Sequence, residues 1–129
     1  MHIQHVQVEQ GILHAVVVGN FNLALAERQF TELLNKAVYS GATKVLIDGR
    51  QVTGYPSAVE RILYGAFVAC STLEVLNREN AKLRFAYVIH QSVHDPQRYG
   101  ETVAVNGGMD VKAFEDIDEA VEWLQEQKG

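Results

Sequence analysis

The chain contains a single cysteine, Cys70. No disulfide can therefore close within it, and a zinc site built from several thiolates is excluded. Such sparing use of thiols fits a reducing compartment, and a cytoplasmic protein is expected. Only two prolines, Pro56 and Pro96, interrupt the sequence, so long segments are free to run as helix or strand. Basic residues are in the minority, with 11 Lys and Arg against 16 Asp and Glu and a formal net charge of -5. That balance argues against a nucleic-acid surface or an anionic membrane as the main partner, because both call for a basic patch. No window approaches the roughly 20 apolar residues of a membrane span. The start, Met1-His2-Ile3-Gln4-His5, lacks the basic opening and apolar core of a secretory signal.

What remains is a globular composition. A hydrophobic share of 47% with 21% charged residues separates the 129 residues from disordered chains. At this length a single domain spanning 1–129 buries a core without metal or disulfide support, and no cofactor is indicated.

The pattern along the chain reads as α/β. Ile3 to Val8 alternates loosely, Gln10-Gly11 supplies a turn, and Ile12 to Val18 is rich in β-branched residues, together an opening β-hairpin. Asn22 can cap a helix whose apolar positions Leu23, Ala26, Phe30, Leu33, Leu34, Ala37 and Val38 keep the three-four spacing of one buried stripe. Thr43 to Ile47 reads as a short strand, apolar on both faces and therefore central. The tetrapeptide Ser57-Ala58-Val59-Glu60 has the form of a capping box and opens a helix predicted to run to about Asn77. Leu83 to Ile89 is another strand, and Asp95-Pro96 predicts the start of a third helix that ends at Gly107-Gly108. Val111 to Phe114 makes a last strand. A final helix follows, with Asp116, Asp118 and Glu119 suited to the positive end of its dipole. The order is ββαβαβαβα, and helices between strands imply crossovers, hence a mixed, mostly parallel sheet.

Laid out this way, the chain resembles the SpoIIAA-like group of the STAS superfamily, small bacterial domains also compared with the CRAL-TRIO lipid-transfer fold. The resemblance spans nearly the whole chain. It rests on the opening hairpin, the segment Gly41-Ala42-Thr43-Lys44-Val45-Leu46-Ile47-Asp48, and the helix after Tyr55-Pro56-Ser57. Its most specific part is the closing segment from Val111 to Leu124, which is a packing signature. The resemblance implies a non-enzymatic module that acts by protein contact, with a small apolar-ligand or lipid carrier as the alternative. In anti-sigma-factor antagonists of the superfamily a phosphorylatable serine opens the helix after an Asp-terminated strand, and Ser57 holds the comparable place. It departs from that pattern, being preceded by Tyr55-Pro56 and followed by Ala58-Val59 in place of small Ser-Gly elements.

Candidate chemistry gathers at one predicted rim. Parallel strands ending near Ile47 and Ile89 would bring Asp48 and Arg50 beside His90 and His94, with the helix starts at Ser57 and Asp95-Pro96 aimed at the same region. Free N–H groups and an arginine suit an anion, either a phosphate on Ser57 or a ligand carboxylate. The plainer alternative is that Ser57 only caps, Arg50 only pairs with Asp48, and the histidines sit on a wet loop. Ser57, His90 and Asp48 nominally supply a hydrolytic triad, a remote alternative because no Gly-x-Ser-x-Gly elbow accompanies them. His90 and His94 lack a third ligand, and no metal site is expected. His14 and Cys70 read as structural, Cys70 as a small buried apolar side chain.

The helix after Ser57 is the other candidate. From Ile62 to Cys70 it carries no charged side chain, so apolar groups point around its whole girth. The expected sheet-facing stripe is Ile62, Leu63, Ala66, Phe67 and Cys70, leaving Tyr64, Gly65, Val68, Ala69 and Ser71 outward. The surplus would be covered by a second copy or a protein partner, or would line an apolar pocket with Tyr99 and Val103 of the third helix. The alternative is burial within its own domain. The partner- or ligand-binding candidates are thus Asp48, Arg50, Tyr55, Ser57, Tyr64, Phe67, Val68, His90, His94 and Tyr99, with a homodimer expected.

Overall fold

The hairpin turn shows how local chemistry sets the frame. Gln10 and Gly11 both adopt positive φ, 53° and 78°, the pair of left-handed residues that a two-residue type I′ turn requires. They join β1 (His2–Glu9) to β2 (Ile12–Asn20) in antiparallel pairing. In the computed structural model, which describes residues 1–90 and 98–126, three further strands extend this hairpin in parallel: β3 (Lys44–Thr53), β4 (Arg84–Ile89) and β5 (Val111–Phe114). The spatial order is β1-β2-β3-β4-β5. The helices are α1 (Leu23–Tyr39), α2 (Ala58–Glu79), α3 (Tyr99–Asn106) and α4 (Ile117–Gln125), giving the expected ββαβαβαβα order and mixed sheet.

The period-two geometry of β3 divides the core. Val45 and Ile47 join Leu13, Ala15, Val17 and Phe85 beneath α1, α2 and α3. Leu46, on the opposite face, meets Ala86, Val88 and Phe114 beneath Ala120 and Leu124 of α4. The central strand is therefore apolar on both sides because both sides are covered. Arg84 lies 3.7 Å from the Trp123 ring centre, so a cation caps the α4 side of the sheet where the helix ends.

Two expectations about the sheet and its helices need correction. Asp48-Gly49-Arg50 does not follow β3; it lies within it, and the strand continues to Thr53. The register steps from Val16↔Asp48 to Val18↔Gln51, so β3 holds one residue more than β2 across this stretch, a bulge. The Asp48 carboxylate stabilises it by accepting the Arg50 backbone N–H at 3.1 Å. The sequence there carries the look of a turn because a bulge and a turn use the same Asp-Gly chemistry.

The second correction concerns α2, whose buried face is mostly not the one expected, although Phe67 of the expected stripe does pack on the core. Gly65, Val68, Ala69, Thr72 and Val75 are buried, whereas Ile62 and Leu63 are 40% and 50% exposed and Ala66 and Cys70 also face solvent. Size, not hydrophobicity, decides between the two apolar stripes. A Cβ on Gly100 would lie 2.9 Å from the Arg61 carbonyl oxygen, and one on Gly107 would lie 2.8 Å from the Ala69 Cβ. Small residues let α2 and α3 touch backbone to backbone, and that contact fixes the helix's rotation. The predicted α3 start at Asp95-Pro96 lies outside the described residues; the described helix opens at Tyr99 and ends, as expected, at Gly107.

Candidate functional site

The start of α2 is built as the sequence implies. The Ser57 hydroxyl accepts the Glu60 N–H at 3.0 Å, and the Glu60 carboxylate accepts the Ser57 N–H at 2.9 Å, a complete capping box. Ser57 is exposed, but its oxygen is engaged and its nearest charged neighbour is an anion. Asp48 and Arg50 stand elsewhere. Asp48 lies on the α4 side of the sheet, like Leu46 two residues before it, and accepts the Arg50 guanidinium at 2.9 and 2.7 Å. Burial pushes the Asp48 carboxyl up, but the Arg50 hydrogen bonds and charge outweigh it and hold the group below its ordinary 3.8. Asp116 and Asp118, at the start of α4, add to the negative field around Arg50. Arg50 is thus committed to Asp48, on the face of the sheet opposite to α2.

These placements separate Ser57 from Asp48 in the nominal triad: Asp48 is tied to Arg50 and Ser57 to Glu60, and exposed His90 follows β4. His94 lies outside the described residues. Among the described residues no group of three or more His, Cys, Asp and Glu side chains is arranged to hold a metal ion. No described helix is long and apolar enough to cross a membrane.

Two features remain. The first is the outer face of α2, where Val59 (64% exposed), Ile62 and Leu63 form a continuous apolar row with Ala66 and Cys70, beside the exposed ring of Tyr55. The second is a cavity of about 180 Å³ between the sheet and the three helices on its first face. Its floor includes Val17, Ile47, Val52 and Tyr87; α1 contributes Gln29, Phe30 and Leu33, α2 contributes Tyr64, Gly65 and Val68, and α3 contributes Gly100 and Ala104.

Polar atoms reach this chamber at few points. The Tyr64 and Tyr87 hydroxyls are hydrogen-bonded to each other at 2.8 Å, with their rings edge to face at 6.2 Å. Burial pushes the Tyr64 phenol up to about 12 and the Tyr87 phenol well above its ordinary value, so both stay neutral. Gln29 donates to the Met1 carbonyl at 2.9 Å, which fixes its amide nitrogen on that side and leaves its buried Oε1 with no hydrogen-bond partner. At the wall, Glu101 is held by Arg98 at 2.8 Å and by the Ala113 N–H at 3.2 Å.

Of the predicted site residues, the structure brings Tyr64 and Val68 into the cavity and packs Phe67 against the core. Tyr55 and Ser57 stay at the α2 surface, and Tyr99 is 42% exposed on α3, away from the cavity wall to which it was assigned. Cys70, expected to be buried, is exposed.

No protein-family model and no curated protein matches this sequence. The fold itself has solved counterparts. An anti-sigma factor antagonist from Mycobacterium paratuberculosis superposes with a TM-score of 0.54 at 15% identity, over 97% of this chain and 96% of its own. An uncharacterised protein with a SpoIIAA-like fold from Shewanella loihica superposes with a TM-score of 0.50 at 23% identity, over 95% of this chain and 92% of its own. The chain has a SpoIIAA-like fold. Within that SpoIIAA-like frame, sequence reasoning missed Gln29, Tyr87 and Gly49 as cavity residues. The available signal was alternation: Tyr87 and Gly49 share a strand face with Phe85 and Ile47, and Gln29 stands beside Phe30 in a helix otherwise apolar toward the sheet.

Proposed function

We propose that this SpoIIAA-like chain works by protein contact and not by chemistry, presenting the outer face of α2 to a second copy of itself. The observation that carries the reading is the row Val59, Ile62, Leu63, Ala66 and Cys70, an apolar stripe on a long helix with nothing over it among the described residues. A stripe of this kind is self-complementary. Two α2 helices crossing on a twofold axis near Ala66 can approach closely there while Val59, Ile62 and Leu63 of each pack on the other. Covering the exposed part of each of these side chains contributes about 1 kcal/mol. Six such side chains supply about 6 kcal/mol before the cost of association, so the dimer is weak, with a dissociation constant no tighter than about tens of micromolar.

The anti-sigma factor antagonist that shares the fold is named for an effect on another protein, which supports contact as the mode of action. Regulation by phosphate at Ser57 would be a further step. A phosphate there would replace the capping box, stand beside Glu60, and find Arg50 already held by Asp48. Sedimentation velocity across a concentration range tests the main reading. Concentration-dependent dimers that dissociate in Leu63→Glu support it, and a monomer throughout refutes it. A second reading, an apolar-ligand binder, is favoured by one observation, the apolar chamber under α2.

A further inference from the structure

We propose that the chamber is a binding site for one small, neutral, ring-sized molecule bearing a hydroxyl or a ring N–H, its polar atom read by the Tyr64–Tyr87 pair and Gln29 Oε1. This deepens the apolar-ligand reading by fixing the size and chemistry of the occupant. Size comes from the volume. About 180 Å³ is slightly more than the ~150 Å³ apolar cavities that take up benzene, and well short of the ~300 Å³ where drug-sized pockets begin. One ring with a substituent fits within it; a long acyl chain would have to extend beyond it.

The polar pattern comes from hydrogen-bond bookkeeping. Two hydroxyls in contact use one proton between them, so the Tyr64–Tyr87 pair still holds one O–H to donate and lone pairs to accept. Gln29 Oε1 is a buried acceptor with no partner in the lining of the same chamber. The tyrosine pair and Gln29 therefore offer the chamber one donor and two kinds of acceptor, which is what a phenol-like or indole-like molecule needs and a plain hydrocarbon cannot use. Charge is disfavoured. Glu101 and Arg98 at the wall satisfy each other, Arg61 has an interaction of its own, and the two phenols resist ionisation.

The test uses the whole chain with defined probes: 4-methylphenol and indole, toluene as the ring without a polar atom, benzoate as the charged ring, and hexadecanoate as the long chain. Titration calorimetry and saturation-transfer NMR should show one saturable site for 4-methylphenol and indole. Their binding should be about tenfold tighter than that of toluene, as one or two modest hydrogen bonds would give, with benzoate not bound. The double variant Tyr64→Phe/Tyr87→Phe keeps the shape of the chamber and removes both hydroxyls together, so it should fold. It should shrink the preference over toluene to about twofold. Val68→Phe fills the space and should abolish all binding. No saturable binding of any neutral ring compound, as for a chamber occupied only by water, overturns the proposal, as does benzoate binding as tightly as 4-methylphenol. Uptake of hexadecanoate without the ring compounds would overturn this ligand class while leaving an apolar-ligand binder standing; no uptake of any probe would end both.

Discussion

Gly65→Ala is the sharpest single perturbation of this fold. Gly65 sits in the middle of α2, where replacing glycine by alanine ordinarily stabilises a helix by up to about 1 kcal/mol. Here the added Cβ would press into the Gly100 carbonyl group, with the Gly100 Cα at 3.1 Å as well. The obstacle is backbone, not the end of a flexible side chain, so α2 and α3 must separate to admit one methyl group. Overpacking of a tight site costs about 1–3 kcal/mol, and a rigid neighbour puts this case at the upper end. Set against the helix gain, the net effect is a loss of about 2 kcal/mol, equivalent to a fall of about 6–10 °C in melting temperature for a domain of this size. Far-UV circular dichroism during thermal unfolding reads it directly. Because Gly65 also lines the cavity, the variant should weaken 4-methylphenol uptake. An unchanged or raised melting temperature would show that the helices are not in backbone contact.

Other outcomes follow from the same geometry. Ser57→Ala should cost about 1 kcal/mol in a denaturant titration, while Ser57→Asp, which keeps a capping oxygen, should cost only a few tenths; equal losses would contradict the cap. Asp48→Asn should lower stability at neutral pH by about 1–2 kcal/mol, a figure reduced for the solvent that reaches Arg50. The Asp48 carboxyl is held below 3.8 in the folded state, so its contribution is fully present above that value and is lost as the pH falls through the depressed one. Acid titrations of wild type and Asp48→Asn should therefore converge at low pH; parallel curves would contradict the pairing. Arg84→Ala should cost about 1 kcal/mol or more by uncovering the Trp123 ring and should blue- or red-shift its fluorescence; an unchanged emission and stability would remove the cation from the account.

Much of the architecture was legible because the residues that set boundaries act locally. Asn22 and Ser57 cap where their side chains reach the next turn's N–H groups, at 3.0 Å in each case. Asp116, read only as a charge suited to the start of the last helix, caps it by accepting from the Asp118 and Glu119 N–H groups. What was not legible depends on partners far along the chain. The rotation of α2 is decided by Gly100 and Gly107, which accept Gly65 and Ala69 at close range, and an apolar girth gives no hint of that choice. The extent of β3 is decided by its pairing with β2 through Thr53, which carries the strand past an Asp-Gly pair that locally reads as a turn. The cavity is a property of packing, since it exists where Gln29, Tyr64 and Tyr87 from three separate elements leave space between them. Alternation along β3 sends Asp48 to the α4 face, whereas Ser57 opens α2 on the other, so these two members of the predicted rim are not brought together.

The central claim, that the outer row of α2 is a working contact surface, is tested most directly by sedimentation velocity on wild type and Leu63→Glu side by side. Leu63 is half exposed, so the charge is tolerated by the monomer and melting temperatures should agree within about 2 °C. The account predicts a wild type that dimerises at about tens of micromolar or above and a variant that sediments as a monomer at least tenfold higher. A wild type that stays monomeric at every concentration, or a dimer that Leu63→Glu leaves intact, would contradict it.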